Sequence, residues 1–294
     1  MDIKGCFTAI VTPFVGSGVK NPVDWSAYRE ILSFQDKNGV AGIVACGTTG
    51  ESPTLSHEEH SRVIEETVKN SRGIVIAGTG SNSTWEAVKL SCDAENIGAD
   101  ASLQVCPYYN KPSQEGLFRH FGAVAVAVDI PIILYNIPGR SAREISADTM
   151  ARLSEEYSNI IGVKEASGNE AVWKEIREKC GKAFLILSGN DGDTYRLMKD
   201  YGAKGVISVA SNVIPRQMVD FANLGLGKRF SEMKKEDERL RELFDTLFVD
   251  TNPIPIKEAM NLAGVNAGGF RLPMCEISEK NRKKVADVMK WLGV

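Results

Sequence analysis

The segment Ile160-Ile161-Gly162-Val163-Lys164-Glu165-Ala166-Ser167 is an apolar run that contains a single lysine. A continuous run of this kind is typical of a buried strand in a parallel sheet. Because an ammonium group is costly to bury, we expect Lys164 to have a lowered pKa and to present the neutral amine that forms a Schiff base with a carbonyl. In the alternative interpretation, the strand ends at Val163 and Lys164 points outward or pairs with Glu165.

Seven further β-rich runs occur along the chain, and helical segments separate them. The eight runs are Gly5 to Phe14, Gly42 to Gly47, Ile74 to Gly80, Ala101 to Pro107, Pro131 to Pro138, Ile160 to Ser167, Ala183 to Asn190 and Gly205 to Ser211. Eight strands that alternate with helices predict an α/β fold, a closed (β/α)8 TIM barrel. An open doubly wound sheet is the alternative, but Phe14-Val15-Gly16-Ser17-Gly18 lacks the spacing of the G-x-G-x-x-G motif expected there.

Helix starts and the end of the barrel can also be located. Ser56-His57-Glu58-Glu59 and Ser83-Thr84-Trp85-Glu86 both have the S-x-x-E pattern of a capping box. We expect the barrel to occupy residues 1–224. In residues 225–294, apolar side chains recur at helical spacing at Phe230, Leu240, Leu243, Phe244 and Leu247. This part is therefore predicted to be a helical C-terminal appendage that packs on the barrel or on a partner subunit.

Composition excludes several classes of partner. The chain has 294 residues, 43% hydrophobic content and a net charge of -3, which is typical of an ordinary globular protein. Its charges are interspersed, so we expect no nucleic acid partner. No apolar run approaches the roughly 20 residues of a membrane span. The six cysteines are scattered without C-x-x-C pairing, which predicts reduced thiols and a cytoplasmic location.

The predicted strands end in polar residues, and in a TIM barrel these ends carry the active site. Strand two runs into Cys46-Gly47-Thr48-Thr49-Gly50-Glu51-Ser52, strand four into Pro107-Tyr108-Tyr109-Asn110-Lys111-Pro112, and strand five into Tyr135-Asn136-Ile137-Pro138-Gly139-Arg140. With Lys164 they supply an amine for imine formation, phenols for proton transfer, hydroxyls for a small carboxylate and a guanidinium for a second carboxylate. Each motif taken alone also has a purely structural interpretation as a turn or a surface loop.

Two other chemistries are disfavoured. Barrels that bind phosphate commonly use the loops after strands seven and eight, but Ser188-Gly189-Asn190-Asp191-Gly192-Asp193 places two aspartates there. A zinc hydrolase is disfavoured because His57-Glu58-Glu59-His60 lacks the H-E-x-x-H spacing.

From Gly5 to the C-terminal helices, the chain resembles the dihydrodipicolinate synthase and N-acetylneuraminate lyase family of class I pyruvate-dependent aldolases. The resemblance rests on the three strand-end motifs above and on Gly162-Val163-Lys164-Glu165-Ala166-Ser167-Gly168. Thr48 and Arg140 favour the synthase branch of the family, since the lyase branch usually has a serine before the second threonine and no arginine after the Tyr-Asn-x-Pro turn. Gly139 and Asn190 depart mildly from the pattern, because many relatives have serine and aspartate there.

The resemblance implies a role for each matching residue. Lys164 would form the imine with pyruvate, and Tyr135 would be its nearest acid and base, with Thr48 and Tyr109 completing a proton relay. Tyr109 would come from the neighbouring subunit of a tight dimer, and a dimer of dimers is expected. Thr49 would hold the pyruvate carboxylate and Arg140 the carboxylate of L-aspartate 4-semialdehyde. The backbone of Gly189 and Ile207 would line the site. Neither a cofactor nor a metal is implied.

A second set of residues matches the L-lysine pocket at the dimer interface of inhibitable relatives: Ser52, His57, His60, Asn82, Glu86 and Tyr108. Glu86 is suited to pair with an ammonium group, and Tyr108 is the covalent neighbour of Tyr109. The resemblance therefore implies feedback inhibition by L-lysine. Alternatively, His57 and Glu86 are merely polar residues in the first turns of capped helices.

The activity implied is the condensation of pyruvate with L-aspartate 4-semialdehyde in lysine and diaminopimelate synthesis. One rival is another aldolase of the family, acting on a 2-keto-3-deoxy sugar acid or a hydroxyproline-derived keto acid. A rival of a different class is a non-catalytic metabolite sensor that retains the fold.

Overall fold

In the computed structural model, which describes residues 2–294, eight parallel strands close into a barrel in chain order. The strands are β1 Gly5–Ala9, β2 Gly42–Ala45, β3 Ile74–Gly78, β4 Ala101–Val105, β5 Ile132–Asn136, β6 Ile160–Glu165, β7 Leu185–Ser188 and β8 Gly205–Ser208. The sheet closes because β1 pairs with β8, where Phe7 lies opposite Ile207. The predicted TIM barrel is confirmed, and the open sheet is excluded.

The strands are shorter than the predicted runs. β1 stops at Ala9 instead of Phe14, and β7 stops at Ser188 instead of Asn190. The residues that were predicted as strand but lie outside the strands are mainly at the carboxyl ends. There the chain is still buried, but it leaves the hydrogen-bond ladder to form loops. Burial without pairing looks like a strand in a sequence, so the apolar pattern alone overestimates strand length at this end of the barrel.

Helices surround the barrel and continue beyond it. Those between strands and after β8 are α1 Trp25–Lys37, α2 His57–Asn70, α3 Thr84–Ile97, α4 Gln114–Ala127, α5 Pro138–Ser141, α6 Ala147–Glu156, α7 Glu170–Cys180, α8 Thr194–Tyr201 and α9 Pro215–Leu226. The C-terminal appendage contains α10 Phe230–Thr246, α11 Ile254–Leu262 and α12 Glu279–Leu292. α9 runs two residues past the boundary predicted at residue 224, and the division into two units stays a prediction. No helix in residues 2–294 has the length and apolar character that a membrane crossing requires.

One of the two predicted capping boxes is present. At α2 the Ser56 hydroxyl accepts from the Glu59 N–H, and the Glu59 carboxylate accepts from the Ser56 N–H. At α3 the prediction is half wrong. The Ser83 side chain accepts from the Glu86 N–H, but the Glu86 carboxylate is bonded to Ser81 and His57 instead. These two partners draw Glu86 away from the helix end and into a polar cluster.

The core has two layers. Inward-facing side chains such as Phe7, Ile76 and Leu187 fill the barrel, while a larger set fills the space between strands and helices. The appendage joins the outer layer through α10, where Leu240 and Phe244 are buried and the Phe244 ring packs 6.2 Å from that of Phe221. The helical spacing of the apolar residues agrees with α10, whose apolar side chains are buried apart from Phe230, which is only partly buried.

Candidate active site

Lys164 lies on β6 with its side chain in the barrel interior. It is 7% exposed, and its register partner on β5 is Tyr135. The Lys164 Nζ atom is 4.2 Å from the centre of the Tyr135 ring. Glu165 points the other way, and its carboxylate accepts from Asn136 Nδ2 at 2.9 Å and from the Ser167 N–H at 2.6 Å. The alternative in which Lys164 turns outward or pairs with Glu165 is therefore wrong.

An acidic neighbour of Lys164 was missed by the sequence argument. Asp191, in the loop after β7, is 1% exposed, and its Oδ2 accepts from the N–H groups of Val209 at 3.0 Å and Ala210 at 2.9 Å. Burial raises the pKa of Asp191, while these hydrogen bonds and the charge of Lys164 act in the opposite direction. The Asp191 carboxyl thus ties the loop after β8 to the loop after β7.

A cavity of about 500 Å³ lies at the carboxyl end of the barrel. It brings together most of the residues that the sequence analysis selected for catalysis and substrate binding: Lys164, Tyr135, Thr48, Thr49, Arg140 and Gly189. The same cavity is lined by most of the second set: Ser52, His57, His60, Glu86 and Tyr108. One continuous space therefore connects the buried amine with the cluster around Glu86.

Three selected residues do not line this cavity. Ile207 is buried in the barrel interior, and Val209, two residues later, lines the cavity in its place. Tyr109 is 89% exposed on the surface, far more than Tyr108 at 38%. Asn82 lies beside the cavity, where its main-chain oxygen accepts from Asn110 Nδ2 at 2.8 Å. Within a single chain, Tyr109 is therefore separate from Lys164 and Tyr135.

Gly189 is required by close packing. A Cβ atom built on Gly189 would lie 2.6 Å from the Ala166 Cβ and 3.0 Å from the Glu165 oxygen. Any larger residue would push the loop after β7 away from β6, the strand that carries Lys164. Glycine here lets the backbone approach the reacting centre closely.

The loops around the cavity contain an unusual number of residues with left-handed backbone. Cys46 has a φ of 54°, Glu51 of 52°, Tyr109 of 73° and Ala142 of 53°. For residues other than glycine this conformation costs about 1 to 3 kcal/mol, so the surrounding structure must impose it. At Glu51 the constraint is visible, because its carboxylate is held by Lys257 Nζ at 2.7 Å.

Asn252, which precedes α11, was not selected from the sequence and contacts both predicted carboxylate-binding residues. Its Nδ2 donates to Thr49 Oγ1 at 3.0 Å, and its main-chain oxygen accepts from Arg140 Nη2 at 3.3 Å. Asn252 and Thr49 lie 203 positions apart in the chain, so no local sequence signal connects them.

The second cluster is polar and mutually bonded. His57 Nε2 and Glu86 Oε1 are 2.9 Å apart, and Ser81 also donates to the Glu86 carboxylate. The hydrogen bond from Ser81 is the main cause that lowers the pKa of Glu86, so this group is a carboxylate at neutral pH. His60 donates from Nε2 to the Gly78 oxygen at 2.8 Å, and burial lowers the His60 pKa. Glu86 therefore offers a negative charge in a cavity that two imidazole rings also line.

No group of three or more His, Cys, Asp or Glu side chains in residues 2–294 is arranged to hold a metal ion. The imidazoles of His57 and His60 are instead engaged with Glu86 and Gly78.

The fold and the cavity define a TIM barrel with a buried amine beside a tyrosine, and with Thr49 and Arg140 in the same cavity. The chain belongs to the dihydrodipicolinate synthetase family, whose model matches residues 2–292. It is 48% identical to the 4-hydroxy-tetrahydrodipicolinate synthase of Methanocaldococcus jannaschii, over 99% of both chains. It is 46% identical to the crystal structure of dihydrodipicolinate synthase from Aquifex aeolicus, with a TM-score of 0.95 over 99% of this chain and 98% of the other.

Two further solved relatives contain ligands. The chloride-inhibited dihydrodipicolinate synthase of Acinetobacter baumannii, in complex with pyruvate, is 40% identical with a TM-score of 0.95 over 100% of both chains. The enzyme of Cyanidioschyzon merolae, with lysine bound, is 36% identical with a TM-score of 0.94 over 99% of this chain and 98% of the other.

Proposed function

We propose that this chain is a lyase that condenses pyruvate with L-aspartate 4-semialdehyde to give 4-hydroxy-tetrahydrodipicolinate in lysine and diaminopimelate synthesis. The observation that carries the proposal is the Lys164 amine, buried 4.2 Å from the Tyr135 ring, in a cavity that also contains Thr49 and Arg140. Full-length relatives with this activity in their names, including that of Methanocaldococcus jannaschii, support it.

The chemistry begins with attack of the Lys164 amine on the keto carbon of pyruvate, and water leaves as the imine forms. Loss of a proton from the methyl carbon gives an enamine, whose carbon attacks the aldehyde of the second substrate and forms the new C–C bond. The amino group of that substrate then displaces Lys164 from the imine carbon and closes the ring. We assign the movement of these protons to the phenol of Tyr135, and the 4.2 Å distance between its ring centre and Lys164 Nζ supports this assignment.

The two carboxylates have separate positions in this scheme. Thr49 is 2% exposed at the base of the loop after β2, and we assign its hydroxyl to the pyruvate carboxylate. Arg140 is exposed in the short helix α5 that follows β5, and we assign its guanidinium to the carboxylate of the aldehyde substrate. Thr48 and Tyr109 are assigned to a relay with Tyr135, and the backbone of Gly189 and Ile207 to the wall of the site.

The relay requires Tyr109 to enter from a neighbouring subunit, so we propose an obligate homodimer that pairs into a dimer of dimers. Exposed aromatic side chains support the formation of the dimer, since Tyr109 is 89% exposed and Trp85 is 71% exposed. The hydrogen bond from Asn110 to Asn82 joins the loop that carries Tyr109 to the segment just before α3, the helix that carries Trp85. A cytoplasmic location is proposed from the cysteines, all six of which are free thiols.

We also propose that L-lysine regulates the enzyme by binding at Ser52, His57, His60, Asn82, Glu86 and Tyr108. The Glu86 carboxylate suits the ammonium group of that ligand, and its cluster opens onto the cavity that contains Lys164. The lysine-bound enzyme of Cyanidioschyzon merolae supports this assignment.

Trapping the imine tests the proposal. Pyruvate and borohydride should add one pyruvate-derived mass to the wild-type chain and none to Lys164→Ala, which lacks the amine. Lys164→Arg should also gain no mass, because a guanidinium stays protonated and does not attack the keto carbon. A mass gain that persists in Lys164→Ala would identify a different lysine. Steady-state comparison of L-aspartate 4-semialdehyde with a 2-keto-3-deoxy sugar acid and a hydroxyproline-derived keto acid separates this function from those of other aldolases. A chain that binds pyruvate but turns over none of these substrates would be a sensor.

A further inference from the structure

Asn252 is the point at which the C-terminal appendage reaches the reacting centre. It lies between α10 and α11, is 5% exposed, and lines the cavity that contains Lys164. Its side chain contacts Thr49 from the loop after β2, and its main chain contacts Arg140 from the short helix α5 after β5. Asn252 thus links the two residues assigned to the two substrate carboxylates.

The polarity of the contact with Thr49 matters for binding. Asn252 Nδ2 donates to Thr49 Oγ1 at 3.0 Å, so a lone pair of that oxygen is already used. A hydroxyl group has one proton to donate, and a donor on one side of the oxygen leaves that proton free for a different acceptor. The Asn252 amide therefore fixes Thr49 as a donor, which is the role that a carboxylate ligand requires.

The surroundings keep Asn252 in place. Five residues later, Lys257 is fully buried and holds Glu51 at 2.7 Å, in the loop that also carries Thr49. On the other side, Asn281 of α12 donates to the Val249 oxygen at 3.2 Å, just before Asn252. The Asn252 Oδ1 atom is buried without a hydrogen-bond partner in residues 2–294, so the bond to Thr49 is the one side-chain hydrogen bond that this amide makes there.

We infer that Asn252 is a positioning residue for pyruvate, which acts by orienting the Thr49 hydroxyl toward the substrate carboxylate. This inference rests on the proposed function. Arg140 contacts only the main-chain oxygen of Asn252, so side-chain substitutions at Asn252 leave that contact intact. The side chain of Asn252 therefore affects the binding of pyruvate more than the binding of the aldehyde substrate.

The test compares Asn252→Ala and Asn252→Asp with the wild-type enzyme. Asn252→Ala removes the donor and should raise the KM for pyruvate about tenfold, the loss of one hydrogen bond to a buried group. Asn252→Asp has the same shape, but its carboxylate accepts a hydrogen bond from the Thr49 hydroxyl. The hydroxyl proton is then no longer free for pyruvate, so this variant should raise the KM for pyruvate further. In both variants saturating pyruvate should still be trapped on Lys164, and the KM for the aldehyde should change less than twofold.

Two controls make the outcome specific. Asn281→Ala loosens the same segment without touching Thr49, and it should leave the pyruvate KM within twofold of the wild-type value. Thr49→Val removes the hydroxyl that Asn252 orients. Adding Asn252→Ala to Thr49→Val should then cause little further change in the pyruvate KM.

Several results would overturn the inference. They are independent effects of Asn252→Ala and Thr49→Val, an Asn252→Asp enzyme that binds pyruvate as well as the wild type, and an Asn281→Ala enzyme as impaired as Asn252→Ala. If wild-type enzyme forms no adduct at Lys164, the proposed function fails and this inference fails with it. If wild-type enzyme is trapped and the Asn252 variants match its pyruvate KM, only the role of Asn252 is refuted.

Discussion

Lys257 Nζ lies 2.7 Å from Glu51 Oε1, and neither side chain has meaningful contact with solvent, at 0% and 1% exposure. The ammonium group also donates to the main-chain oxygens of Thr12 at 2.8 Å and Gly269 at 2.6 Å. Burial lowers the pKa of Lys257, and the Glu51 carboxylate opposes that shift. Through this pair, α11 of the appendage holds the loop after β2 that carries Thr48 and Thr49.

Breaking this pair should be strongly destabilising. Lys257→Met leaves the Glu51 carboxylate buried without a counter-charge, which costs about 3 to 5 kcal/mol of unfolding free energy. Lys257→Met combined with Glu51→Gln removes both charges and should recover a large part of the loss. Chemical denaturation at neutral pH measures both values.

The matched control for this substitution is Lys179→Met. Lys179 is 39% exposed and paired with Asp148 at 2.8 Å, so water screens this pair and its loss should have a much smaller effect on the unfolding free energy. Equal effects of the two lysine substitutions would contradict the importance of the buried pair.

Complementation between subunits tests the placement of Tyr109. Mixed dimers of Tyr109→Phe and Lys164→Ala contain one site with both native residues, provided that the tyrosine crosses the interface. Random exchange of equal amounts should then restore about a quarter of the wild-type activity, because half of the dimers are mixed and one of their two sites is intact. In the control, wild-type chain is mixed with the double variant, whose mixed dimers contain no intact site, so activity should fall from a half to a quarter of the wild-type value as subunits exchange. Full activity in a monomer would refute the shared site.

Arg140→Ala should impair the second substrate selectively. The guanidinium is exposed, and its Nη2 donates to the Asn252 oxygen at 3.3 Å, leaving its other donors for a ligand. We expect kcat/KM for L-aspartate 4-semialdehyde to fall by the equivalent of about 2 to 4 kcal/mol, while pyruvate still forms its imine. An equal loss for both substrates would mean that Arg140 only supports the loop after β5.

Glu86→Ala should relieve inhibition by L-lysine and leave the basal rate unchanged. The substitution removes the carboxylate that His57 and Ser81 now hold, and with it the counter-charge for the ammonium of the effector. Calorimetry with L-lysine and initial rates with and without it measure the two effects. Glu65→Ala on the outer surface of α2, where Glu65 pairs only with Lys69, is the control. Unchanged inhibition in Glu86→Ala would exclude this cluster as the lysine site.

Acid should destabilise the fold through His120. This residue of α4 is buried, its Nδ1 lies 2.9 Å from Thr84 Oγ1, and burial lowers its pKa from 6.5 to about 4. The unfolded chain therefore binds a proton more tightly than the folded protein, and stability is lost as the pH falls from 6.5 toward 4. The full contribution is about 3 kcal/mol at 1.4 kcal/mol for each pKa unit.

His120→Gln removes this titration and keeps a side chain able to bond to Thr84. As the pH falls from 7.5 to 4, the wild type should therefore lose more unfolding free energy than the variant does. A difference that does not depend on pH would contradict the shifted pKa of His120.

The sequence by itself determined the barrel, because eight apolar runs alternating with helices allow few other arrangements. It also selected Lys164, Tyr135, Thr49 and Arg140, because polar residues at the carboxyl ends of parallel strands must meet at one end of the barrel. Both inferences depend on short-range patterns, in which spacing along the chain determines position in space.

Only the tertiary structure decided what surrounds those residues. Asp191 accepts from the loop after β8, Lys257 holds Glu51, and Asn252 donates to Thr49, and the last two contacts join residues more than 200 positions apart. Such contacts form when the appendage packs across the barrel end, and no periodic pattern records which side chains then meet. For the same reason, burial in loops was mistaken for strand at the carboxyl ends of β1 and β7.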